Sequence, residues 1–105
     1  MDNDLRKILL KFKEESRPLV EKLITEWPSV KAGSRELIFM AGSKSVFRAG
    51  PYDNDHLIVR NAAGTTWGAD LVRRFHGKEL QKTISIPLNN LNESNISTFI
   101  SMLRP

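Results

Sequence analysis

The chain has 105 residues, of which 40% are apolar and 27% charged, and these are the values of one ordinary domain with a single core. It contains no cysteine, which excludes a disulfide framework, a thiol nucleophile and a thiolate metal site, and favours a reducing, cytoplasmic setting. The net charge of +4 favours an acidic partner, such as nucleic acid or an acidic protein surface. We expect residues 1–105 to form one domain with neither a signal peptide nor a membrane span.

The first segment repeats apolar residues three and four positions apart over residues 5–27, which predicts an amphipathic helix. Pro18 interrupts it, because proline lacks the N–H that the interior of a helix uses. The apolar stripe keeps its phase across Pro18, so we favour one long kinked helix from about residue 3 to residue 26. Two consecutive helices are the alternative. A polar residue among 2–4 can cap the start, and the residue before Pro28 should end the helix.

Three strands are predicted in the middle of the chain. Residues 37–41 are an unbroken apolar run of strand length, typical of a central strand. Residues 42–43, Gly-Ser, predict a tight hairpin turn, and residues 45–49 predict the returning strand. After a stretch of turn residues, 56–60 reads HLIVR and predicts the third strand. Strands that follow one another in this way indicate an antiparallel meander.

The second half of the chain predicts a short helix, a strand and a last helix. Apolar residues within 67–76 have helical spacing, and Gly77 follows where a helix commonly ends. Residues 83–88 alternate polar and apolar, and Pro87 indicates an edge strand. Asn92 can cap the C-terminal helix. The sequence therefore predicts an α+β fold with a long N-terminal helix, a mostly antiparallel sheet of about four strands, a short helix before the last strand, and a C-terminal helix.

Acid–base catalysis would begin with the two histidines, His56 and His76, because histidine is the residue type whose unperturbed pKa lies near neutral pH. His56 stands beside Asp53 and Asp55, a combination that could in principle hold a metal ion. The spacing fits no calcium loop, however, because the glycine and the glutamate of such a loop are missing. We interpret both aspartates as a solvated turn and predict no metal site, no cofactor and no catalytic residue. An enzyme is the least favoured hypothesis, because the sequence offers no set of nucleophile, base and orienting group.

Positive charge is concentrated in the second half of the chain. Residues 1–30 contain six basic and six acidic residues, so the net +4 belongs to the rest. Residues 60–82 hold five basic residues against two acidic ones, with Trp67 between them. We call these five the basic cluster: Arg60, Arg73, Arg74, Lys78 and Lys82. Basic side chains neutralise phosphates while an aromatic ring stacks on an unpaired base. Trp67 also fits a core position, because Trp67 and Phe75 have helical spacing.

Our leading hypothesis is therefore a non-enzymatic binding module that contacts nucleic acid, or a nucleoprotein assembly, through the basic cluster and Trp67. The alternative is a protein–protein interaction or regulatory subunit that uses the N-terminal helix. Leu10 and Ile24 lie off the apolar stripe of that helix, and with Phe12 or Trp27 they could reach a partner or form a homodimer. They could equally be ordinary exposed apolar residues.

Overall fold

The computed structural model describes residues 1–52 and 54–104. None of the helices in these ranges has the length and apolar character needed to cross a membrane. The predicted α+β class is confirmed, and the regular elements follow one another in this order: α1 (Asn3–Leu9), α2 (Arg17–Glu26), β1 (Val30–Ala32), β2 (Leu37–Ala41), β3 (Lys44–Gly50), β4 (His56–Arg60), α3 (Thr66–Leu71), β5 (Thr83–Pro87) and α4 (Ile96–Leu103). Short 3-10 turns lie at Glu14–Ser16 and Leu88–Asn90, and a π-helical turn at Val72–His76 continues α3.

The sheet is an antiparallel meander in which each of five strands pairs with the next one along the chain. The prediction of about four strands is wrong, because β1 has only three residues and its alternation is too short to be visible in the sequence. The bounds predicted for β2 and β4 are confirmed, and β5 lies at an edge, as its proline indicates. One row of partners crosses the whole sheet: Lys31, Ile38, Arg48, Ile58 and Ser85.

The helices cover one face of this sheet. Alternate residues of a strand point to opposite faces, and one set of alternate residues is fully buried in the same core cluster as the apolar side chains of the helices. This set consists of Leu37, Phe39, Phe47, Ala49, Leu57, Val59, Ile84 and Ile86. The other set is half-buried or exposed, apart from the buried Gly50, and we call the surface it forms the outer face.

Aromatic rings occupy the centre of the core. Phe39 and Phe47 are cross-strand partners whose rings stack with centroids 4.2 Å apart. Trp27 and Phe99 each meet Phe47 edge-on, with centroids at 5.0 and 5.3 Å. Such pairs contribute about 0.5 to 1.5 kcal/mol each beyond the burial of their area. They join the chain after α2, the middle strands and α4 into one packed unit.

The N-terminal segment forms two helices, so the prediction of one long kinked helix is wrong and its alternative is right. Pro18 lies in the first turn of α2, where the missing N–H has no intrahelical partner to lose. Between the helices, the side chain of Arg17 donates to the carbonyl oxygens of Phe12 at 3.2 Å and Leu10 at 3.0 Å. These bonds satisfy carbonyl groups at the break, so the chain can leave α1 well before the proline.

Several local sequence signals are confirmed by the geometry. The Asp2 carboxylate caps α1, accepting from the backbone N–H of Asp4 at 2.8 Å and Leu5 at 3.1 Å. Gly77, at φ 76°, ends the π-helical turn in the left-handed conformation that glycine adopts without strain. The predicted short helix therefore exists, as α3 together with this turn. The prediction that Asn92 caps the C-terminal helix is wrong: its side chain accepts from two backbone N–H groups in the turn before α4, and the residue at the cap position of α4 is Asn95.

Candidate nucleic-acid interface

All five side chains of the basic cluster are exposed, and two of them are neighbours in the fold. Arg60 is the last residue of β4 and pairs with Thr83, the first residue of β5. Lys82 immediately precedes Thr83, and its carbonyl oxygen accepts from the Ala62 N–H at 2.8 Å. The antiparallel pairing of β4 and β5 thus brings Arg60 and Lys82 to the same end of the sheet.

The other three cations lie between Arg60 and Lys82 in sequence, on the π-helical turn and just after it. Arg73 forms an exposed ion pair with Asp70, with Nη2 at 2.6 Å from Oδ1. Arg60, Arg74, Lys78 and Lys82 form no ion pair with any residue of the described ranges, whereas Arg73 shares its charge with a carboxylate. Four of the five predicted cations are therefore exposed and have no ion-pair partner among the described residues.

Trp67 is the second residue of α3, where it is half-buried and packs against the core. Trp67 therefore packs against the core while part of its surface meets solvent. Phe75 is 4% exposed and meets Phe99 edge-on, so it belongs to the core alone. Of the two aromatic residues in this segment, only Trp67 has surface to offer a ligand.

A hydrogen-bonded junction at Ala62 fixes the start of α3 against the end of the β4–β5 pair. The Thr65 hydroxyl donates to the Ala62 carbonyl oxygen at 2.6 Å and accepts from the Gly68 N–H at 3.0 Å, which caps the helix. Gly68 approaches the same carbonyl closely, since a Cβ there would lie 2.1 Å from the oxygen. The junction links the segment that carries Trp67 to the strand ends that carry Arg60 and Lys82.

In both histidines, Nδ1 forms a hydrogen bond with a backbone carbonyl oxygen. His76 Nδ1 lies 2.9 Å from the Ser85 oxygen, and His56 Nδ1 lies 2.5 Å from the Asn54 oxygen. A carbonyl oxygen only accepts, so each Nδ1 carries the proton. His76 Nε2 is buried and has no hydrogen-bond partner in the described part of the chain. Because β5 is an edge strand, the contact of His76 also covers its free side, which would otherwise be open to pairing.

A cleft of about 650 Å³ opens beside the N-terminal segment, at the end of the sheet where β4 begins and β5 ends. Asp55 and Ser16 line it, and among the described residues they are the two polar side chains that are buried, at 7% and 8% exposure. Asp55 Oδ2 accepts from the Lys13 N–H at 2.9 Å, and the Asp55 carbonyl accepts from the Leu88 N–H at 3.0 Å. Asp55 therefore holds three separate parts of the chain together.

The interpretation of Asp55 as part of a solvated turn is wrong, and Asp53 lies outside the described residues. The N–H group that donates to the buried Asp55 carboxylate belongs to Lys13, 42 positions earlier, so no local sequence pattern could reveal this contact. Tyr52 and His56 also line the cleft. Within residues 1–52 and 54–104, histidine and acidic side chains form no group of three or more that could hold a metal ion.

The outer face carries two basic residues outside the predicted site, Lys31 and Arg48, in addition to Arg60 of the basic cluster. The five strands contain no acidic residue, and their fourth basic residue, Lys44, lies on the other face. Arg48 forms an ion pair with Glu36, which stands just before β2. Alternation would have revealed this, because polar residues that interrupt apolar strands must point away from the core.

The end of the outer face where β3 terminates is built around Tyr52. Its ring lies against Gly50, where a Cβ would be 2.9 Å from Tyr52 Cε2, and the Arg35 guanidinium lies 4.5 Å from the ring centroid. Burial of the phenol, and then the negative charge of Glu36, raise the pKa of Tyr52, while Arg35 opposes them. The ring is held between glycine and arginine, so it supports Arg35 as an additional surface cation.

The N-terminal residues proposed for a protein partner are mostly internal. Phe12 and Trp27 are 2% and 3% exposed, and Ile24 is half-buried against the core. Leu10 differs, because it follows the end of α1 and is 56% exposed. Of this group, one apolar side chain is available at the surface.

Comparison with known proteins gave no match: no family model fits the chain, and neither a curated protein nor a solved structure is significantly similar to it.

Proposed function

We propose that this protein is a non-enzymatic binding module that contacts nucleic acid, alone or in a nucleoprotein assembly, through the basic cluster and Trp67. The observation that supports it is the exposure of all five cations, four of which have no ion-pair partner among the described residues. An exposed cation without a carboxylate partner can neutralise a phosphate without first breaking an internal ion pair. Each phosphate neutralised on a duplex adds about 0.9 to the slope of log affinity against log salt.

Binding accounts for the polar residues of this region better than catalysis does. Both histidine rings form hydrogen bonds through Nδ1 to backbone carbonyl oxygens, and the Asp55 carboxylate accepts from the Lys13 N–H. These contacts stabilise loops and a strand edge. A general base needs a neighbouring nucleophile and an orienting group, and no such set is assembled around His56 or His76 in the described ranges.

The test is fluorescence anisotropy with labelled single-stranded DNA, duplex DNA and single-stranded RNA, titrated with the purified protein at two salt concentrations. The double variant Lys78→Ala, Lys82→Ala should weaken binding to all three probes and reduce the salt slope on duplex DNA by about 1.8. The matched control is Lys7→Ala, Lys11→Ala, which removes the same charge from the exposed surface near α1. Equal losses in the two double variants, or no binding at low salt, would overturn the proposal.

An interaction or regulatory subunit is the second candidate, and the exposure of Leu10 is the observation that favours it. In this case the partner would be another protein or a second copy of the chain, and the basic cluster would fit an acidic protein surface. Light scattering across the micromolar range distinguishes the homodimer, since a constant monomer mass would remove it. We place the protein in the cytoplasm on its cysteine-free composition alone.

A further inference from the structure

The outer face of the sheet is cationic. Lys31 and Arg48 belong to one row of cross-strand partners, and Arg60 shares their face because it stands two residues after Ile58. Their face is opposite the buried set, so all three side chains point away from the helices. Arg35, stacked on Tyr52, adds a fourth cation at the end of the face where β3 terminates. In the described part of the chain the face has one paired acid, Glu36, which binds Arg48.

Apolar side chains alternate with these cations. Ile38 and Ile58 are the direct partners of Arg48 on either side, and both are half-buried. Neither belongs to the core cluster nor packs against it, because they stand on the face that the helices leave uncovered. Adjacent strands are about 4.8 Å apart, so the two isoleucines are separated by about 10 Å, with a guanidinium between them.

This surface continues into the basic cluster and the cleft. Arg60 belongs both to the basic cluster and to the outer face, and Lys82 stands beside it at the end of β5. At the opposite end of the strands, the paired residues His56 and Pro87 line the cleft. A long ligand that crosses the sheet could therefore contact Arg60 and Lys82 as well, which a small anion could not do.

We propose that the outer face binds single-stranded nucleic acid, with phosphates on Lys31 and Arg60, which have no carboxylate partner among the described residues, and unpaired bases against Ile38 and Ile58. This inference rests on the proposed function and names its ligand class. A single strand offers negative charge and flat apolar surfaces together, which is the combination that the row of alternating cations and isoleucines matches. A duplex keeps its bases stacked inside, so it would leave the isoleucines without a partner.

The experiment compares two changes on the outer face with a matched control. Lys31→Gln removes one cation from the row, and Ile58→Thr removes apolar surface while retaining a β-branched residue that suits a strand. Lys44→Gln is the control, because it makes the same charge change in β3 next to the hairpin turn, outside the row. Far-ultraviolet circular dichroism and thermal unfolding establish that each variant is folded.

The probes are an oligothymidine of about a dozen nucleotides, a duplex of the same length, and polyglutamate as an acidic polypeptide. We expect Ile58→Thr to weaken oligothymidine binding about 5-fold, because it removes apolar surface from the contact with a base, and to leave duplex binding unchanged. Lys31→Gln should weaken oligothymidine binding more than Lys44→Gln does.

Three results would overturn the inference, and they separate it from the function on which it rests. If the double change at Lys78 and Lys82 weakens binding while Ile58→Thr and Lys31→Gln do not, the outer face does not bind the nucleic acid, and the basic cluster remains the proposed binding site. If Ile58→Thr weakens single-strand and duplex binding equally, the assignment of bases to the isoleucines is wrong. If polyglutamate binds and responds to Lys31→Gln while no nucleic acid binds, the face recognises acidic protein, and both proposals fail.

Discussion

Adding one methyl group at Gly68 should destabilise the fold although the residue lies in a helix. A Cβ at this position would be 2.1 Å from the Ala62 carbonyl oxygen and 2.7 Å from Thr65 Oγ1. Close carbon-to-oxygen contacts in proteins are about 3.3 Å, so the two backbones would have to separate by about 1 Å. Gly68→Ala therefore forces α3 away from the junction at Ala62 or breaks the hydrogen bonds there.

The magnitude follows from the bonds that converge on this point. The Ala62 carbonyl accepts from the Thr65 N–H at 3.2 Å and from the Thr65 hydroxyl at 2.6 Å, and that hydroxyl also caps the Gly68 N–H. Overpacking costs about 1 to 3 kcal/mol, and loss of a cap costs about 1 kcal/mol. We expect Gly68→Ala to lower the free energy of unfolding by about 2 to 4 kcal/mol. Helix propensity alone predicts the opposite sign, a gain of about 1 kcal/mol.

The assay is urea unfolding, followed in parallel by tryptophan fluorescence and far-ultraviolet circular dichroism. The control is Ala69→Gly at the next position, which is exposed and should cost only the propensity difference of about 1 kcal/mol. A Gly68→Ala protein that is as stable as the parent, or more stable, would show that α3 does not approach the Ala62 carbonyl in this way. The reasoning about the junction would then be refuted.

Three further substitutions test other parts of the structure. Trp27→Phe should lower the free energy of unfolding by about 1 to 3 kcal/mol in the same urea assay, because it leaves a backbone carbonyl without the indole N–H that lies 2.8 Å away. Tyr52 has a raised pKa from burial and then from Glu36, so the unfolded chain loses the phenolic proton first and stability falls as the pH rises above the ordinary value of 10.0. Tyr52→Phe should remove this loss of stability. Urea midpoints measured about one pH unit below and about one pH unit above the ordinary tyrosine pKa would show whether part of the loss remains. Leu10→Ser should change stability by less than about 0.5 kcal/mol; a change in mass by light scattering would instead identify Leu10 as part of an interface.

The strands were predictable because their signals are local. The apolar run of β2 is followed by Gly42, which turns the chain at φ 60°, and β4 is bounded by turn residues, so the bounds of both strands follow from adjacent positions. Pro87 likewise indicated the edge position of β5. In each case the pattern that a single strand needs lies within a few residues.

The failures concern contacts between distant residues or very short elements. Pro18 looked like an interruption because the sequence does not show that α2 begins just before it. Asp55 looked like a surface residue because its donor is the backbone of Lys13. The exposure of the basic cluster is visible only in the fold, and so is the position of Lys31 on the outer face, because β1 is too short to give a pattern in the sequence.

The meander topology has a consequence for how the chain acquires its structure. Every strand pairs with its neighbour in sequence, so the sheet can grow by successive local closures, and proteins dominated by local contacts fold quickly. The helical layer is different, because α2 packs against α4, and the Arg104 guanidinium bonds to the Glu26 carbonyl oxygen 78 residues earlier. The sheet can therefore form before the helical layer does. The core is complete only when α4 packs against α2 and Phe99 meets Phe47 edge-on, so we expect the docking of α4 to be the step that completes the core.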